Sequence, residues 1–386
     1  MRNEQQRLTI AFLTWFDSQD RRSWSGAFYY MAQALQKYCG EVIHIGPIDA
    51  SREKLIGKMV HKSAQVLLKK QFVYDQCFLV AKKYASVAAQ WLADHPVDLI
   101  IAPGGGAEIA FLETDLPIVL VEDATYGLLI DYYPEYSHLL KRSIYELNTV
   151  EHLALEKASV LLSASEWAAR SAIEDYQTDP RKVQVIPFGA NLEYSPSQEI
   201  ALAKKQSDRC RLLFVGVDWV RKGGAIAFET LLHLEAMGIR AELIVCGCIP
   251  PQTVSHAHMT IVPFLDKNNE KQRHELEKLY MTADFLLLPT RQDAYGIVFC
   301  EANAFGVPAI TTYTGGVSGV IKEGENGFLL PYSAGGAEYA DVIATLYHND
   351  RRYAELVRTS RAAFDNRLNW DVWGRAVQAA IASLVH

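Results

Sequence analysis

This sequence has no apolar run long enough to cross a membrane. A membrane-spanning helix needs roughly 20 mainly apolar residues, and no stretch of the 386-residue chain approaches that length. Residues 1–7 are polar and the apolar run after them is short, so we expect no secretory signal peptide. Both absences favour a cytoplasmic protein.

The chain also lacks paired cysteines and an excess of positive charge. Its six cysteines are scattered, and the only close pair is Cys246 and Cys248, with no second pair or histidine beside it. This pattern is typical of reduced thiols in a protein core, not of a disulfide framework or a zinc site. A formal net charge of -7 argues against a general nucleic-acid binder.

Metal-ligand spacing is absent too. His256, His258 and His274 have no acidic partner at the sequence spacing of a metal site, so we expect no metal and no bound cofactor. A dinucleotide fingerprint is also missing, because Gly26, at the first strand-to-helix turn, is not part of a GxGxxG motif. Gly26 either forms an ordinary tight turn or lets backbone N–H groups approach an anion.

The chain is long, and its strand-like and helix-like sequence patterns alternate. Its 386 residues exceed one ordinary core and indicate two domains. Short apolar runs alternate with helical patterns, which predicts α/β domains with parallel sheets flanked by helices. Polar residues up to Asp208 indicate a linker between a domain at 1–190 and one at 209–364.

The clearest pattern lies in residues 285–316. An apolar run at 285–288 is typical of a buried strand, and after a polar loop Tyr295 and Gly296 lead into a helix. A second strand follows at 309–312. Such a strand–loop–helix–strand unit belongs to a parallel sheet.

Two carboxylates lie in this stretch, Asp293 in the loop and Glu301 in the helix. The helix is apolar nearly all round, as buried helices are, and a buried carboxylate needs a hydrogen-bonding partner. Two interpretations of Glu301 are open. Its partner is a protein cation or backbone N–H, or it is a ligand that bears hydroxyl groups, such as a ribose.

Two adjacent cations, Arg221 and Lys222, precede Gly223 and Gly224 where the strand at 211–215 leads into a helix. Cations at a glycine-bearing helix entrance suit a diphosphate. The alternative is a solvated surface pair.

Two further carboxylates, Glu122 and Asp123, follow the strand predicted at 117–121. Carboxylates at the carboxyl end of a parallel strand face the ligand crevice of such a sheet. They are therefore candidate functional residues, and the alternative is that they cap the next helix.

The stretch from Asp293 to Gly316 resembles the Glu-x7-Glu region of the retaining glycosyltransferases of family four. The shared features are the Asp-x7-Glu spacing with Tyr-Gly inside it, then Ala-x-Ala-x-Gly-x-Pro and a final Gly-Gly. The resemblance implies a GT-B fold, in which two Rossmann-like doubly wound domains face a cleft and a C-terminal tail, here 365–386, packs back on the first domain. It is specific in the second domain and weaker in the first.

The resemblance also implies roles for single residues of this motif. Glu301 stands where the family binds the donor ribose, and Asp293 stands beside the transferred sugar with a side chain one methylene shorter than the family's glutamate. Tyr295, Gly296 and Ile297 would contact the donor as well.

Other donor contacts implied by the resemblance lie outside this motif. Gly26 and Gly247 occupy turns that lie near the donor's phosphates and nucleotide in the family. Asp123 stands where the family usually has a histidine that contacts the donor sugar. Val217 replaces a usual arginine, so Arg221 or another cation would substitute for it.

The function we expect is that of a metal-independent, retaining glycosyltransferase of the hexosyltransferase type, with a role in polysaccharide biosynthesis. It would move a sugar from a nucleotide-sugar donor such as a UDP-sugar, a co-substrate and not a cofactor, to a glycan, lipid or small molecule. Its catalytic residues would be Asp293, Lys222, Arg221 and Asp123. The alternatives are a nucleotide-sugar epimerase of the same fold and a non-enzymatic, two-lobed sugar-binding protein.

Residues 54–70 combine lysines with interleaved apolar side chains in a helical pattern. Such a helix could lie on anionic lipid, which would place the protein peripherally at the inner membrane face. The alternative is the solvated face of a core helix.

Overall fold

The computed structural model describes residues 7–204 and 208–384. Residues 1–6, on which the expectation about a signal peptide rests in part, lie outside the described residues. The chain divides into two compact units, Met1–Pro187 with Trp373–His386, and Phe188–Val372. The linker predicted before Asp208 thus groups with the second unit, and the end of the chain groups with the first.

The first unit is built on a parallel sheet of six strands. They are β1 (Leu8–Leu13), β2 (Gly40–Ile45), β3 (Leu99–Pro103), β4 (Ile118–Glu122), β5 (Val160–Ser163) and β6 (Val183–Val185). Their order in the sheet is β2-β1-β3-β4-β5-β6. Every residue of β3 and β4 is buried, as expected for parallel strands that helices cover on both faces.

Seven helices of the first unit connect these strands. They are α1 (Ala27–Tyr38), α2 (Ser51–Leu68), α3 (Phe78–Asp94), α4 (Gly106–Ile109), α5 (Tyr126–Leu129), α6 (Lys141–Lys157) and α7 (Glu166–Glu174). The sequence predicts one helical run over 51–93, and the structure divides it into α2 and α3. Ser165 caps α7, since its hydroxyl oxygen accepts a hydrogen bond from the backbone N–H of Ala168 at 3.3 Å.

The second unit contains another parallel sheet of six strands. They are β7 (Cys210–Val215), β8 (Ala241–Cys246), β9 (Met259–Val262), β10 (Phe285–Leu288), β11 (Ala309–Thr312) and β12 (Gly327–Leu330). Their order is β12-β11-β10-β7-β8-β9, which is the doubly wound order of a dinucleotide-binding domain. The direction of winding reverses between β7 and β10, and ligands of such sheets bind at the carboxyl ends of the strands at this reversal.

Eight helices follow in the remaining sequence. They are α8 (Gln198–Leu202), α9 (Gly224–Ala236), α10 (Glu270–Thr282), α11 (Ile297–Ala304), α12 (Val317–Val320), α13 (Gly336–Tyr347), α14 (Asp350–Asn366) and α15 (Trp370–Ile381). The predicted strand–loop–helix–strand unit is confirmed as β10, α11 and β11. Within the described part of the chain, no helix is both long enough and apolar enough to cross a membrane.

Candidate functional site

Two loops meet at the carboxyl ends of β7 and β10, where the winding of the second sheet reverses. Their contact depends on Gly223, which has a φ of 76°. A Cβ atom at Gly223 would lie 1.9 Å from the carbonyl oxygen of Pro289, so no larger residue fits. The backbone N–H of Arg291 also donates to the carbonyl oxygen of Arg221 at 2.7 Å. The two loops are therefore held together through their backbones.

This contact brings together two residues that the sequence predicts as catalytic. The ammonium of Lys222 lies 2.5 Å from a carboxylate oxygen of Asp293, and each side chain is only 11% exposed. The stem of Lys222 passes Gly216, where a Cβ atom would come within 2.9 Å of Cγ of the lysine. Because both side chains are confined, the pair is a fixed, mostly buried element of the site.

Arg221 lies beside this pair and braces the same loop. Its guanidinium donates to the carbonyl oxygen of Gln292 at 3.0 Å, and its side chain is 22% exposed. Asp218 lies 4.0 Å from the guanidinium. Arg221 and Lys222 are therefore not a solvated surface pair, since both are bound to the loop between β10 and α11.

The N-terminus of α11 lies directly after this loop. Gly296 caps it with a φ of 93°, and a Cβ atom there would come within 2.5 Å of the Phe299 ring. Ile297 is the first residue of the helix. Free N–H groups at a helix N-terminus favour an anion, so the start of α11 adds to the positive character of the site.

Tyr295, predicted to contact the donor, has a buried side chain. It is 2% exposed, and its hydroxyl donates to the carbonyl oxygen of Phe188 at 2.9 Å. Burial and the neighbouring thiol of Cys300 raise the pKa of Tyr295 well above its ordinary value. The hydroxyl thus stays a proton donor within the core of the second unit.

Glu301 is buried in α11 and has two protein partners. Its carboxylate pairs with the ammonium of Lys267 and accepts a hydrogen bond from the hydroxyl of Tyr280 at 2.9 Å. Burial and the Glu301 carboxylate raise the pKa of Tyr280 well above its ordinary value, so this hydroxyl remains a donor. Of the two interpretations left open by the sequence, the structure shows the protein partner.

Lys267 and Tyr280 were missed at the sequence level. Lys267 lies in the loop before α10 and Tyr280 lies in the last turn of that helix. Neither residue stands in a motif, and no local signal pairs either with Glu301. Only the packing of α10 against α11 brings the three together.

Gly247 lies at the same edge of the sheet, directly after β8. It has a φ of 102°, and a Cβ atom there would lie 2.9 Å from the carbonyl oxygen of Gly216. Its backbone N–H donates to the carbonyl oxygen of Val262 at 3.1 Å. Gly247 therefore permits close packing of neighbouring strand ends, and its own N–H is already used.

In the first unit, the predicted residue Gly26 is the N-cap of α1. Its φ is 97°, and the two preceding residues, Trp24 and Ser25, also have positive φ values of 47° and 57°. Non-glycine residues rarely adopt this backbone conformation. The turn is thus more constrained than an ordinary tight turn.

Asp123, the other predicted residue of this unit, directly follows β4. The helix after it is capped by Thr125, whose hydroxyl oxygen accepts from the backbone N–H of Leu128 at 3.4 Å. The alternative in which Glu122 or Asp123 caps the helix is therefore wrong.

Glu122 forms a buried carboxyl pair with Glu151 of α6, which the sequence did not indicate. Burial and the neighbouring Glu151 raise the pKa of Glu122 well above its ordinary value. Burial raises the pKa of Glu151 to about 7. The backbone N–H of Tyr126 donates to Glu151 at 2.9 Å. Near neutral pH, this pair holds a proton.

The structure also corrects the expectation that the histidines lack an acidic partner. Glu235, in α9, places a carboxylate beside His256 and His258, and ligand atoms of the three residues lie within 4.8 Å of one another. The partner was missed because it comes from a helix more than 20 residues earlier in the chain.

Comparison with known protein families matches residues 204–363 to the model described as "Glycosyl transferases group 1". The chain is 27% identical to D-inositol 3-phosphate glycosyltransferase of Corynebacterium glutamicum over 219 residues, which are 52% of this chain and 51% of that protein. It is 24% identical to the lipopolysaccharide glucosyltransferase WaaG of Escherichia coli over 268 residues, 65% of this chain and 69% of that protein. The chain spans about half the length of its inositol-phosphate glycosyltransferase relatives.

Solved structures extend the similarity over nearly the whole chain. Sucrose-phosphate synthase from Thermosynechococcus elongatus superposes with a TM-score of 0.69 at 17% identity, covering 98% of this chain and 99% of that one. HepE from Anabaena in complex with UDP-glucose gives a TM-score of 0.64 at 16% identity, covering 98% and 100%. WaaG gives 0.60 at 18% identity, covering 97% and 99%. At such identities the likeness shows the fold alone.

The fold class and the family resemblance expected from the sequence are thereby confirmed. The protein has the GT-B fold, and its residues 204–363 match the family model of the glycosyl transferases of group 1.

Proposed function

We propose that this protein is a glycosyltransferase that moves a sugar from a nucleoside-diphosphate donor to an acceptor hydroxyl. The observation that carries the proposal is the Lys222–Asp293 pair at the winding reversal of the second sheet, between the N-termini of α9 and α11. Cations and helix N-termini suit a diphosphate, and a carboxylate suits sugar hydroxyls. The match to group 1 glycosyl transferases supports the same conclusion.

The proposed chemistry is charge stabilisation of the leaving group. When the bond between the sugar C1 and the phosphate oxygen breaks, its electron pair stays on the diphosphate. The acceptor oxygen bonds to C1, and the proton of the acceptor hydroxyl passes to the departing phosphate. Lys222, Arg221 and the N–H groups at the helix starts would stabilise this developing negative charge. Retention of configuration at C1 is proposed from the family resemblance.

Lys222 and Asp293 pair with each other at 2.5 Å. A diphosphate arriving here would compete with Asp293 for the ammonium, which would free carboxylate oxygens to accept hydrogen bonds from the sugar. In this proposal, donor binding replaces the Lys222–Asp293 ion pair with two sets of substrate contacts: Lys222 binds the diphosphate, and Asp293 binds the sugar. As the resemblance implies, Asp123 is proposed to contact the donor sugar.

The nucleoside is proposed to bind near Glu301. Its carboxylate pairs with Lys267 and accepts a hydrogen bond from Tyr280, and the Lys267 side chain is 18% exposed. On donor binding this cation would shift while Tyr280 remains bonded. Ribose hydroxyls would then take the place of the ammonium. Uracil is the proposed base, because HepE, which shares the fold, was solved with UDP-glucose.

We propose that transfer needs no metal ion. Divalent cations in other enzymes neutralise the diphosphate leaving group, and here Lys222 and Arg221 together carry a comparable charge. The acceptor is proposed to be a glycan or lipid, in line with relatives such as the lipopolysaccharide glucosyltransferase WaaG.

A lipid-associated acceptor is favoured by the exposed surface of α2. Gly57 and Ala64 are the buried residues of this helix, and a Cβ atom at Gly57 would come within 2.7 Å of Cβ of Tyr74. This contact fixes which side of α2 faces the unit. Most of the other side is apolar and exposed: Leu55, Ile56, Met59, Val60, Val66 and Leu67, with Leu68 at the end of the helix.

Lysines border this apolar side. At 100° per residue, Lys58 and Lys62 lie along one edge of it, and Lys69 follows the helix directly. An exposed apolar face edged by lysines fits the surface of an anionic bilayer, where apolar side chains enter the headgroup boundary and ammonium groups remain at the phosphates. We propose that α2 rests on such a surface and brings the enzyme to a membrane-borne acceptor.

The experiment that tests the function combines a panel of nucleotide sugars with detection of the transferred sugar. A donor should raise the melting temperature of the protein, because it binds only the folded state. With an acceptor present, it should yield nucleoside diphosphate and a glycosylated product. Isomerised nucleotide sugar without any acceptor dependence would indicate an epimerase instead, and stabilisation by free sugars alone would indicate a binding protein.

A further inference from the structure

A histidine–carboxylate cluster lies at the amino-terminal edge of the second sheet. Glu235 is in the last turn of α9, and His256 and His258 lie just before β9. Nδ1 of His258 lies 2.5 Å from one carboxylate oxygen of Glu235, and Nε2 of His256 lies 3.3 Å from the other. The cluster thus presents two imidazoles to the two oxygens of one carboxylate.

The backbone of both histidines is fixed by the sheet. The carbonyl oxygen of His258 accepts from the backbone N–H of Leu243 at 2.9 Å, and that of His256 accepts from Met259 at 3.2 Å. The His256 ring also packs edge-on against Phe228 of α9, with 6.4 Å between ring centroids. The backbone positions that carry the three donor groups are therefore held by strand residues and by a helix.

Two imidazole nitrogens and one carboxylate form a donor set that suits zinc. Zinc accepts such ligands at about 2.0–2.2 Å, and sites with three protein ligands keep a fourth position for water. Neighbouring ligand atoms around a tetrahedral ion at such bond lengths are roughly 3.3 Å apart. The His256–Glu235 separation already has this value, and the shorter His258–Glu235 contact would open when an ion replaces the shared proton.

We propose that Glu235, His256 and His258 bind a zinc ion. Binding requires one local rearrangement. The backbone N–H of His258 donates to Nδ1 of His256 at 3.2 Å, so a neutral His256 ring carries its proton on Nε2. Zinc at Nε2 moves that proton to Nδ1, and the ring must turn away from the N–H of His258. This rearrangement breaks one weak hydrogen bond, from the backbone N–H of His258 to Nδ1 of His256. In return, three bonds to the metal form.

The position of the cluster separates it from the proposed transfer site. Helix α9 begins at Gly224, beside Lys222, and runs back across the sheet, so that Glu235 near its end lies at the opposite edge. An ion held here would join the end of α9 to β9. It would stabilise the second unit without touching the donor, and the proposal does not depend on the proposed function.

The test uses the full chain, stripped with EDTA and then freed of it, titrated with ZnCl₂ in a calorimeter. We expect one zinc ion per chain and a melting temperature that rises with zinc concentration. Because loss of a supporting group around a metal ligand alone costs 10- to 100-fold in affinity, Glu235→Gln and His258→Gln should each weaken binding by at least about tenfold. His274→Gln, an exposed histidine outside the cluster, is the matched control and should bind as wild type does.

Absence of zinc binding to the wild type would overturn the proposal. Equal affinity in wild type, Glu235→Gln and His258→Gln would also overturn it and place the ion elsewhere. Circular dichroism establishes that each variant is folded, and His256→Gln serves in place of either variant that is not. Sugar transfer is measured in parallel: its failure would contradict the proposed function, whereas loss of zinc binding in the variants with transfer intact supports the site described here.

Discussion

The ammonium of Lys222 lies 2.5 Å from the carboxylate of Asp293, although 71 residues separate them in the chain. They meet because β7 and β10 are neighbours at the winding reversal of the second sheet and because Gly223 lets the two following loops touch. A largely buried cation with a single carboxylate partner can exchange that partner for a diphosphate. This exchange is the basis of the proposed transfer reaction.

The first prediction concerns Glu301. Glu301→Gln removes the charge that pairs with Lys267 and leaves this ammonium without its carboxylate, while the shape of the side chain is kept. If ribose hydroxyls bind here, the affinity for a nucleoside diphosphate should fall by roughly 10- to 150-fold, the cost of losing a charged hydrogen bond.

Calorimetric titration with UDP measures this effect, and the melting temperature shows that the variant is folded. Glu275→Gln, an exposed position in α10, is the control. An unchanged affinity in Glu301→Gln would leave Glu301 with a structural role only.

The second prediction concerns metal. Because Lys222 and Arg221 supply the charge at the proposed leaving group, transfer should proceed at its full rate after treatment with EDTA. Initial rates with and without chelator measure this. Complete loss of transfer, restored by Mg²⁺ or Mn²⁺, would show that a metal ion takes part and that these two cations are insufficient.

The third prediction follows from the buried pair Glu122–Glu151. An acid whose pKa is raised in the folded protein binds more protons there than in the unfolded chain, so stability falls as pH rises. The pKa of Glu151 is ordinarily 4.5 and is about 7 in the folded protein. Its contribution to the free energy of unfolding is therefore fully present below pH 4.5 and is lost as the pH rises through about 7.

Glu151→Gln should remove this pH-dependent loss of stability, because the amide of the glutamine side chain does not ionise. Urea unfolding at several values between pH 5 and pH 8 gives the free energy of unfolding of both proteins. The free energy of unfolding of wild type, relative to that of the variant, should fall steadily as the pH rises. A constant difference would show that the pair does not change its protonation in this range.

The fourth prediction concerns α2. Purified protein should sediment with vesicles that contain phosphatidylglycerol and less with neutral vesicles, and added salt should weaken the binding. Val66→Ser with Leu67→Ser removes two side chains that are 72% and 78% exposed. Since an apolar side chain of this size contributes roughly 1.5–3 kcal/mol when buried, the double variant should bind at least about tenfold more weakly.

Ile249→Ser is the matched control, since Ile249 is 82% exposed but lies in the second unit. Equal sedimentation of all three proteins would contradict membrane contact through α2. A dimer that the double variant abolishes would identify a second copy of the chain as the partner of this face.

The sequence predicted the strands and their order of succession well where short apolar runs are bounded by turn residues. The bounds 285–288 and 309–312 agree with β10 and β11. Parallel strands buried on both faces give such continuous apolar runs. The division of residues 51–93 into α2 and α3 was missed, because both halves have helical patterns.

The sequence predicted only those residues of the site that stand in local motifs. Lys222, Asp293 and Glu301 stand in recognisable sequence contexts, but their partners are set by packing between distant elements. Tyr280 reaches Glu301 from α10, and Glu235 reaches the histidines from α9. A single sequence contains no signal for such pairs, since neither propensity nor periodicity specifies which helix faces which.

The central claim is that Lys222 stabilises the departing diphosphate. The most direct measurement is the steady-state rate of sugar transfer by Lys222→Ala, with Lys271→Ala, an exposed lysine at the start of α10, as control. Because the leaving group gains charge only as the bond breaks, the variant should lose roughly 10²–10³ in kcat, with a smaller change in KM for the donor. The double variant Lys222→Ala/Asp293→Asn, which also removes the carboxylate left without Lys222, should be at least as slow. A near-normal kcat for Lys222→Ala, or recovery of the rate in the double variant, would contradict the claim.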